Sequence, residues 1–295
     1  ASCWLQAHKA ADRFMRHPRS ISTHPPRSRL LASLAALVFA ALLAAACGTT
    51  VPTVEPVRLT LAASSSALPL AETVASAYHG ANPHITVDVL PRANDAAAAQ
   101  SVLSGQADLA LVTGPAPAVD GLTTDHVATD ALAVVIHPGR ALDNLTGQQV
   151  EEILRGLLRT WDELGTGAGD IQMLAREGDS GPRQAMTGAF LGVRPLTPSA
   201  IILPDDRQVR AYVAADPQAI ATLPAAWLDD SVRAVSVDGR GPDWVRRQWP
   251  GYPAELPIHL LAPQTPSPDA DALRAYLLSA PGQRLISRSY APAQP

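Results

Sequence analysis

Apolar positions along this chain follow two periods in turn. Residues 57–62 read as a strand. Leu70, Val74, Ala77 and Tyr78 then share one face of a helix that Asn82-Pro83 stops. Residues 85–90 read as a second strand, 96–104 as a helix closed by Gly105, and 108–113 as a third strand. Strand–helix–strand–helix–strand with short links predicts a parallel sheet with helices on its faces. After a Pro/Gly-rich break at 114–121, the pattern predicts a buried strand at 131–137. A helix follows at 145–154, with Thr146 as its N-cap, and then a strand at 171–175. Further strands are expected at 200–204, 232–237 and 256–262, and helices at 206–214, 269–279 and 282–290.

One stretch stands out for its chemistry. The 171–175 strand runs into Arg176-Glu177-Gly178-Asp179-Ser180-Gly181-Pro182-Arg183, and Ala185, Met186, Ala189 and Phe190 then fall on one helix face. Ser180 suits an N-cap and Pro182 the first turn, where its missing N–H costs nothing. A helix start offers free amides and the positive end of the helix dipole, so with Arg176 beside it the stretch is a candidate anion socket. In open α/β sheets, ligands bind at loops beyond the carboxyl ends of strands. Residues 63–67, 91–96 and 176–182 form such loops, and the first supplies Ser64, Ser65 and Ser66. Gly178 to Pro182 is also similar to a shortened Gly-Asp-Ser-Gly-Gly-Pro signature of chymotrypsin-like proteases. That chemistry needs a His base and a buried Asp in an all-β fold. Here one Gly is missing, the serine runs into a helix, and no Ala-Ala-His-Cys segment is present. No enzyme activity is expected.

Composition fits an exported domain. Hydrophobic residues make up 47% of the 295, enough for one large or two small cores. Residues 1–29 hold Lys9 and five arginines. An uncharged Leu/Ala-rich run follows at 30–46, then Cys47. This is the order of an export signal. Leu43-Ala44-Ala45-Ala46-Cys47 resembles a bacterial lipobox, which implies lipid on Cys47 and a place on the outer face of the cell membrane. Residues 48–56 read as a tether. Cys3 and Cys47 are the only cysteines, so the exported part has no disulfide, and no Cys/His cluster suggests a metal or cofactor. After Cys47, 26 acidic residues face 17 basic ones, which argues against a nucleic-acid partner. Any anion site must therefore work by local geometry.

Several short motifs then occur in order. They are Ala63-Ser64-Ser65-Ser66-Ala67-Leu68-Pro69-Leu70, Ala81-Asn82-Pro83, Leu103-Ser104-Gly105-Gln106-Ala107-Asp108, and Asn144-Leu145-Thr146 with Trp161. Arg176 to Gly181, Ala214 to Ile220, Gly251-Tyr252-Pro253 and Ser279-Ala280-Pro281-Gly282-Gln283 continue the series. Together they resemble the phosphate-binding proteins of ABC transporters, the PstS-like group of type II periplasmic binding proteins, over about residues 57–292. The resemblance implies two α/β lobes, each a mostly parallel sheet flanked by helices, joined by a hinge and closing on a ligand. Lobe I would comprise 57–128 and 238–295, and lobe II 129–237, after a leader at 1–47.

The resemblance also implies a ligand set. Phosphate or a related oxyanion would be held by Ser65, Ser66, the amide of Ala67, Asn94, Arg176, Ser180 and Gly181, for delivery to the membrane subunits of an importer by a monomer. Pro182 stands where the family has Thr and offers neither hydroxyl nor N–H. Gly114 stands where an Asp or Arg is usual, and Asp95 lies beside Asn94. The alternative is a degenerate module of the same fold that senses or binds a partner without phosphate affinity. Loops on remote surfaces, or a carboxylate filling the gap between the Arg176 and Ser65–Ser66 loops, would defeat the reading of those loops as an anion clasp.

Overall fold

The computed structural model describes residues 55–115, 118–241, 249 and 251–293. They belong to one compact unit, Glu55–Pro295. Cys47, the leader, most of the tether, Trp244 and the Arg246-Arg247 pair lie outside the described residues.

The first half of the chain folds as its periodicity requires. β1 (Val57–Ser64) pairs in parallel with both β2 (Ile85–Arg92) and β3 (Leu109–Thr113). α1 (Leu68–Ala81) and α2 (Asp95–Leu103) make the crossovers. α1 buries Leu70, Val74 and Tyr78, the expected face. α2 buries Ala98, Ala99, Ser101 and Val102, and its two alanines and Val102 share a cluster with Ala62, Ala110 and Val112 of the sheet.

The second half departs from a simple parallel sheet. β4 (Leu122–Ile136) is fifteen residues long and starts well before the strand expected at 131–137. Its first part, to Ala131, pairs antiparallel with β10 (Glu255–Pro263), which also lies antiparallel to β3. From Leu132 onward it pairs antiparallel with β8 (Ala219–Pro224) and β9 (Arg233–Val237). One strand therefore belongs to two sheets, in the order β2-β1-β3-β10-β4 and then β4, β8, β6 (Gln172–Arg176) and β7 (Ile201–Leu203). β6 is parallel to β7 and to β8. The central strands that tie the sheets together are the antiparallel ones. Tyr252 bridges β4 and β9: its hydroxyl accepts from the Val134 amide at 2.9 Å and donates to Val235 O at 3.3 Å.

Local signals are met closely in several helices. Thr146 caps α3 (Gly147–Leu154) in a reciprocal box with Gln149. Leu145, expected in that helix, lies in the two-residue β5 (Asn144–Leu145). α4 (Gly181–Met186) is short and opens into a widened turn at Thr187–Leu191. That turn shifts the helical phase, so Met186 and Phe190 are buried while Ala189, expected beside them, is exposed. α5 (Asp206–Ala215) follows β7, and α6 (Pro268–Leu278) and α7 (Ala280–Ile286) close the chain. One buried cluster runs through both sheets, from Leu61, Leu111 and Ile258 to Val135, Leu174 and Leu223.

Candidate functional site

Four strand ends of the two sheets meet. β1 ends at Ser64 and runs through a single tight turn, Ser65–Ala67, into α1. β6 ends at Arg176, and β7 leads through Pro204 and Asp205 to Asp206, the first residue of α5. β3 ends at Thr113, opposite α4.

Arg176, Ser65 and Ser66 are all buried, and they converge as the sequence suggested. They converge on a carboxylate of the chain itself. Asp206 is 0% exposed, and its Oδ2 lies 2.8 Å from Arg176 Nη1. The same oxygen accepts from Ser66 Oγ at 2.6 Å and from Ser65 Oγ at 3.0 Å. The amide of Asp206 donates back to Ser65 Oγ at 3.0 Å. Arg176 Nη2 donates to Pro204 O at 2.8 Å and to Ala93 O at 3.4 Å, which fixes the guanidinium between the two sheets. Trp227 donates its ring N–H to Ser65 O at 3.1 Å and so holds the turn.

The cluster keeps unused polar capacity. The Arg176–Asp206 contact lacks hydrogen-bond geometry at Nη1. Arg176 Nε, Asp206 Oδ1 and Ser64 Oγ are buried without a hydrogen-bond partner among the described residues. Asp130, on β4 where the strand passes between sheets, is 4% exposed. Its Oδ1 accepts from the Ala131 amide and its Oδ2 from the Ala226 amide. Burial pushes its carboxyl up to about 7, and the Asp206 charge adds to this, against the lowering effect of the two amides.

The remaining candidate residues go elsewhere. Gly181 N donates to Asp95 Oδ2 at 2.8 Å, and Asp95 Oδ1 accepts from the Thr113 amide at 2.7 Å. A second carboxylate therefore takes the helix-tip amide. Gly114 and Gly181 meet so closely that a Cβ on Gly114 would lie 2.8 Å from Gly181 Cα, which leaves no room for the side chain usual at that place. Ser180 Oγ donates to Glu177 O at 2.8 Å and accepts from the Arg183 amide, so it is a cap and no part of the Arg176 cluster. Asn94 caps α2 by accepting from the Ala97 amide at 2.9 Å. Ala67 is buried at the start of α1 beside the two serines. The open socket expected between the loops is thus filled by Asp206, because β7 delivers a carboxylate where only hydroxyls and amides were foreseen. A signal was present: the 203–206 segment is a fourth strand-to-helix loop of the same kind as the three singled out.

Among the described residues no group of three His, Cys, Asp or Glu can hold a metal, and no helix is long and apolar enough to cross a membrane. A wide groove of about 1140 Å³ is lined by Pro69, Asp143, Ala226, Arg233, Trp249 and Tyr290 among others, and by none of Arg176, Asp206, Ser65 and Ser66.

Two lobes sharing a long strand, with loops from both meeting at one buried polar cluster, define the fold of the periplasmic binding proteins. The sequence profile of the PBP superfamily domain matches residues 50–281, and the chain belongs to that superfamily. It is similar to the phosphate-binding protein PstS of Bacillus subtilis, with 26% identity over 191 residues, 63% of each chain. It is also similar to phosphate-binding protein PstS 2 of Streptococcus agalactiae, with 26% identity over 110 residues, 36% of this chain and 37% of that one. The matched stretches thus span under two thirds of these relatives. Among solved structures, a phosphate ABC transporter substrate-binding protein of Clostridium perfringens with bound phosphate superposes with a TM-score of 0.72. It is 22% identical and covers 80% of this chain and 100% of its own. The phosphate-binding substrate-binding proteins of ABC transporters are thus the group within the superfamily that this chain resembles.

Proposed function

We propose that this chain is the extracytoplasmic solute-binding component of an ABC importer. It would take phosphate or a related small oxyanion at Arg176, Ser65 and Ser66, without performing chemistry on it. One observation carries the reading. A charged carboxylate oxygen, Asp206 Oδ2, already receives two hydroxyls and faces a guanidinium there, so the seat suits an anionic oxygen. Asp206 marks where an oxyanion oxygen would lie and stands in for it. The incoming ion has to compete with contacts worth about 1.5–3 kcal/mol each, so affinity is low compared with an open seat. Lipid on Cys47 would hold the protein at the membrane beside its importer. Loss of tagged-palmitate labelling in Cys47→Ser tests that part.

A second reading, a module of this fold that senses or binds a partner and has no phosphate affinity, is favoured by Asp95 on the Gly181 amide. Titration calorimetry with phosphate separates the two. Binding by the wild type or by Asp206→Asn, abolished by Arg176→Met, supports the first reading. Silence of both proteins at millimolar phosphate leaves only the second.

A further inference from the structure

The buried charges around the seat do not balance. Asp206 faces Arg176 from β6, the Ser65 and Ser66 hydroxyls from the turn after β1, and the field of Asp130 from β4. Asp130 faces the amides of Ala131 and Ala226, the field of Asp206, and Tyr290 of the C-terminal segment, whose phenol is pushed upward by burial and by Asp130. Both carboxylates are buried, and Arg176 pairs with Asp206 alone, so Asp130 has no cation of its own among these contacts. An oxyanion arriving at Arg176 would be a third negative group in the same space. A buried carboxylate without a partner takes up a proton in preference to staying charged.

The same contacts join the sheets. Asp206 and Arg176 follow strands of the second sheet, whereas Ser65, Ser66 and Ala93 belong to the first. Asp206 therefore closes the two halves on itself with the contacts a ligand would use.

Resting on the oxyanion reading above, we propose that the ligand enters by exchange: it displaces the Asp206 carboxylate from Arg176, Ser65 and Ser66, and the Asp206–Asp130 pair takes up one proton from solvent. No covalent bond changes. The negative charge added by the ion is offset by the proton gained. Asp130 is suited to receive it: it is 4% exposed and bonded, among the described residues, only to two backbone amides, and burial pushes its carboxyl up to about 7. Because binding favours the protonated pair, affinity rises as pH falls, by up to tenfold per pH unit just above that value.

Calorimetry with phosphate, in two buffers of different ionisation heat, counts the protons exchanged. The wild type is expected to take up about one more proton per phosphate than Asp206→Asn, whose site lacks the displaced charge. Asp130→Asn, a second variant, is expected to lose most of the same excess. Phosphate's own titration is common to all three proteins and cancels in the comparison. Equal proton counts in the wild type and either variant overturn the exchange and leave the oxyanion reading intact. A wild type silent below neutral pH while Asp206→Asn binds also overturns it. If no protein binds at any pH, the oxyanion reading falls instead.

Discussion

Replacing Asp206 by Asn removes one charge and keeps the shape. The amide oxygen can still accept from Ser65 and Ser66, but Arg176, 3% exposed, loses its counter-charge. Breaking a buried pair by deleting one partner costs about 3–5 kcal/mol. For a domain of this size each kcal/mol moves Tm by about 2–4 °C, so Asp206→Asn should melt roughly 6–20 °C below the wild type. Phosphate should then act unequally. In the variant it finds an uncompensated guanidinium, and at a hundredfold excess over Kd it returns about 2.7 kcal/mol. In the wild type it meets an occupied seat and shifts Tm little. Differential scanning fluorimetry with and without phosphate reads both effects on the same plate. A variant that melts with the wild type, or a wild type that gains more from phosphate than the variant, would refute the idea that Asp206 holds the ligand's place.

Gly181→Ala would put a Cβ 2.5 Å from the carbonyl carbon and oxygen of Thr113, so β3 and α4 must separate. A loss of about 1–3 kcal/mol in urea denaturation is expected. Asp130 has its folded carboxyl raised from 3.8 to about 7, so its contribution to stability is complete at low pH and is lost as pH rises across that window. Asp130→Asn should abolish this slope, a difference on the order of 4 kcal/mol between acid and neutral pH. A constant offset is also expected, because Oδ1 and Oδ2 each accept an amide and an Asn NH2 mispairs with one of them. The pH profile of the denaturation midpoint decides, and parallel profiles would reject the assignment. Tyr252→Phe leaves the buried Val134 amide without its 2.9 Å acceptor and should cost about 1–3 kcal/mol, with the denaturant slope unchanged.

Within the described residues, the chain's own pattern determined most elements and their caps. Period-2 and period-3.6 runs placed β1 to β3 and the helices between them. Asn82, Thr146 and Ser180 ended or began helices because their side chains bond nearby backbone. The meeting of Arg176 with Ser65 and Ser66 was also legible, since strand ends in such sheets gather at one edge. Other features were not. The opening of β4, Leu122-Thr123-Thr124-Asp125-His126, is polar and half-exposed, and only pairing with β10 makes it a strand. β8 went unseen because the short run Ala219 to Leu223, between Pro217 and Pro224, has no period of its own. Above all, Asp206 reads in sequence as an ordinary acid in a first helical turn, where the helix dipole welcomes it. Its other role needs contacts with residues 30 and 140 or more positions away, Arg176, Ser66 and Ser65. Local propensity carries no information about which charge will be buried beside which. The packing of the two sheets decided that the gap between these loops would be filled from within, by Asp206.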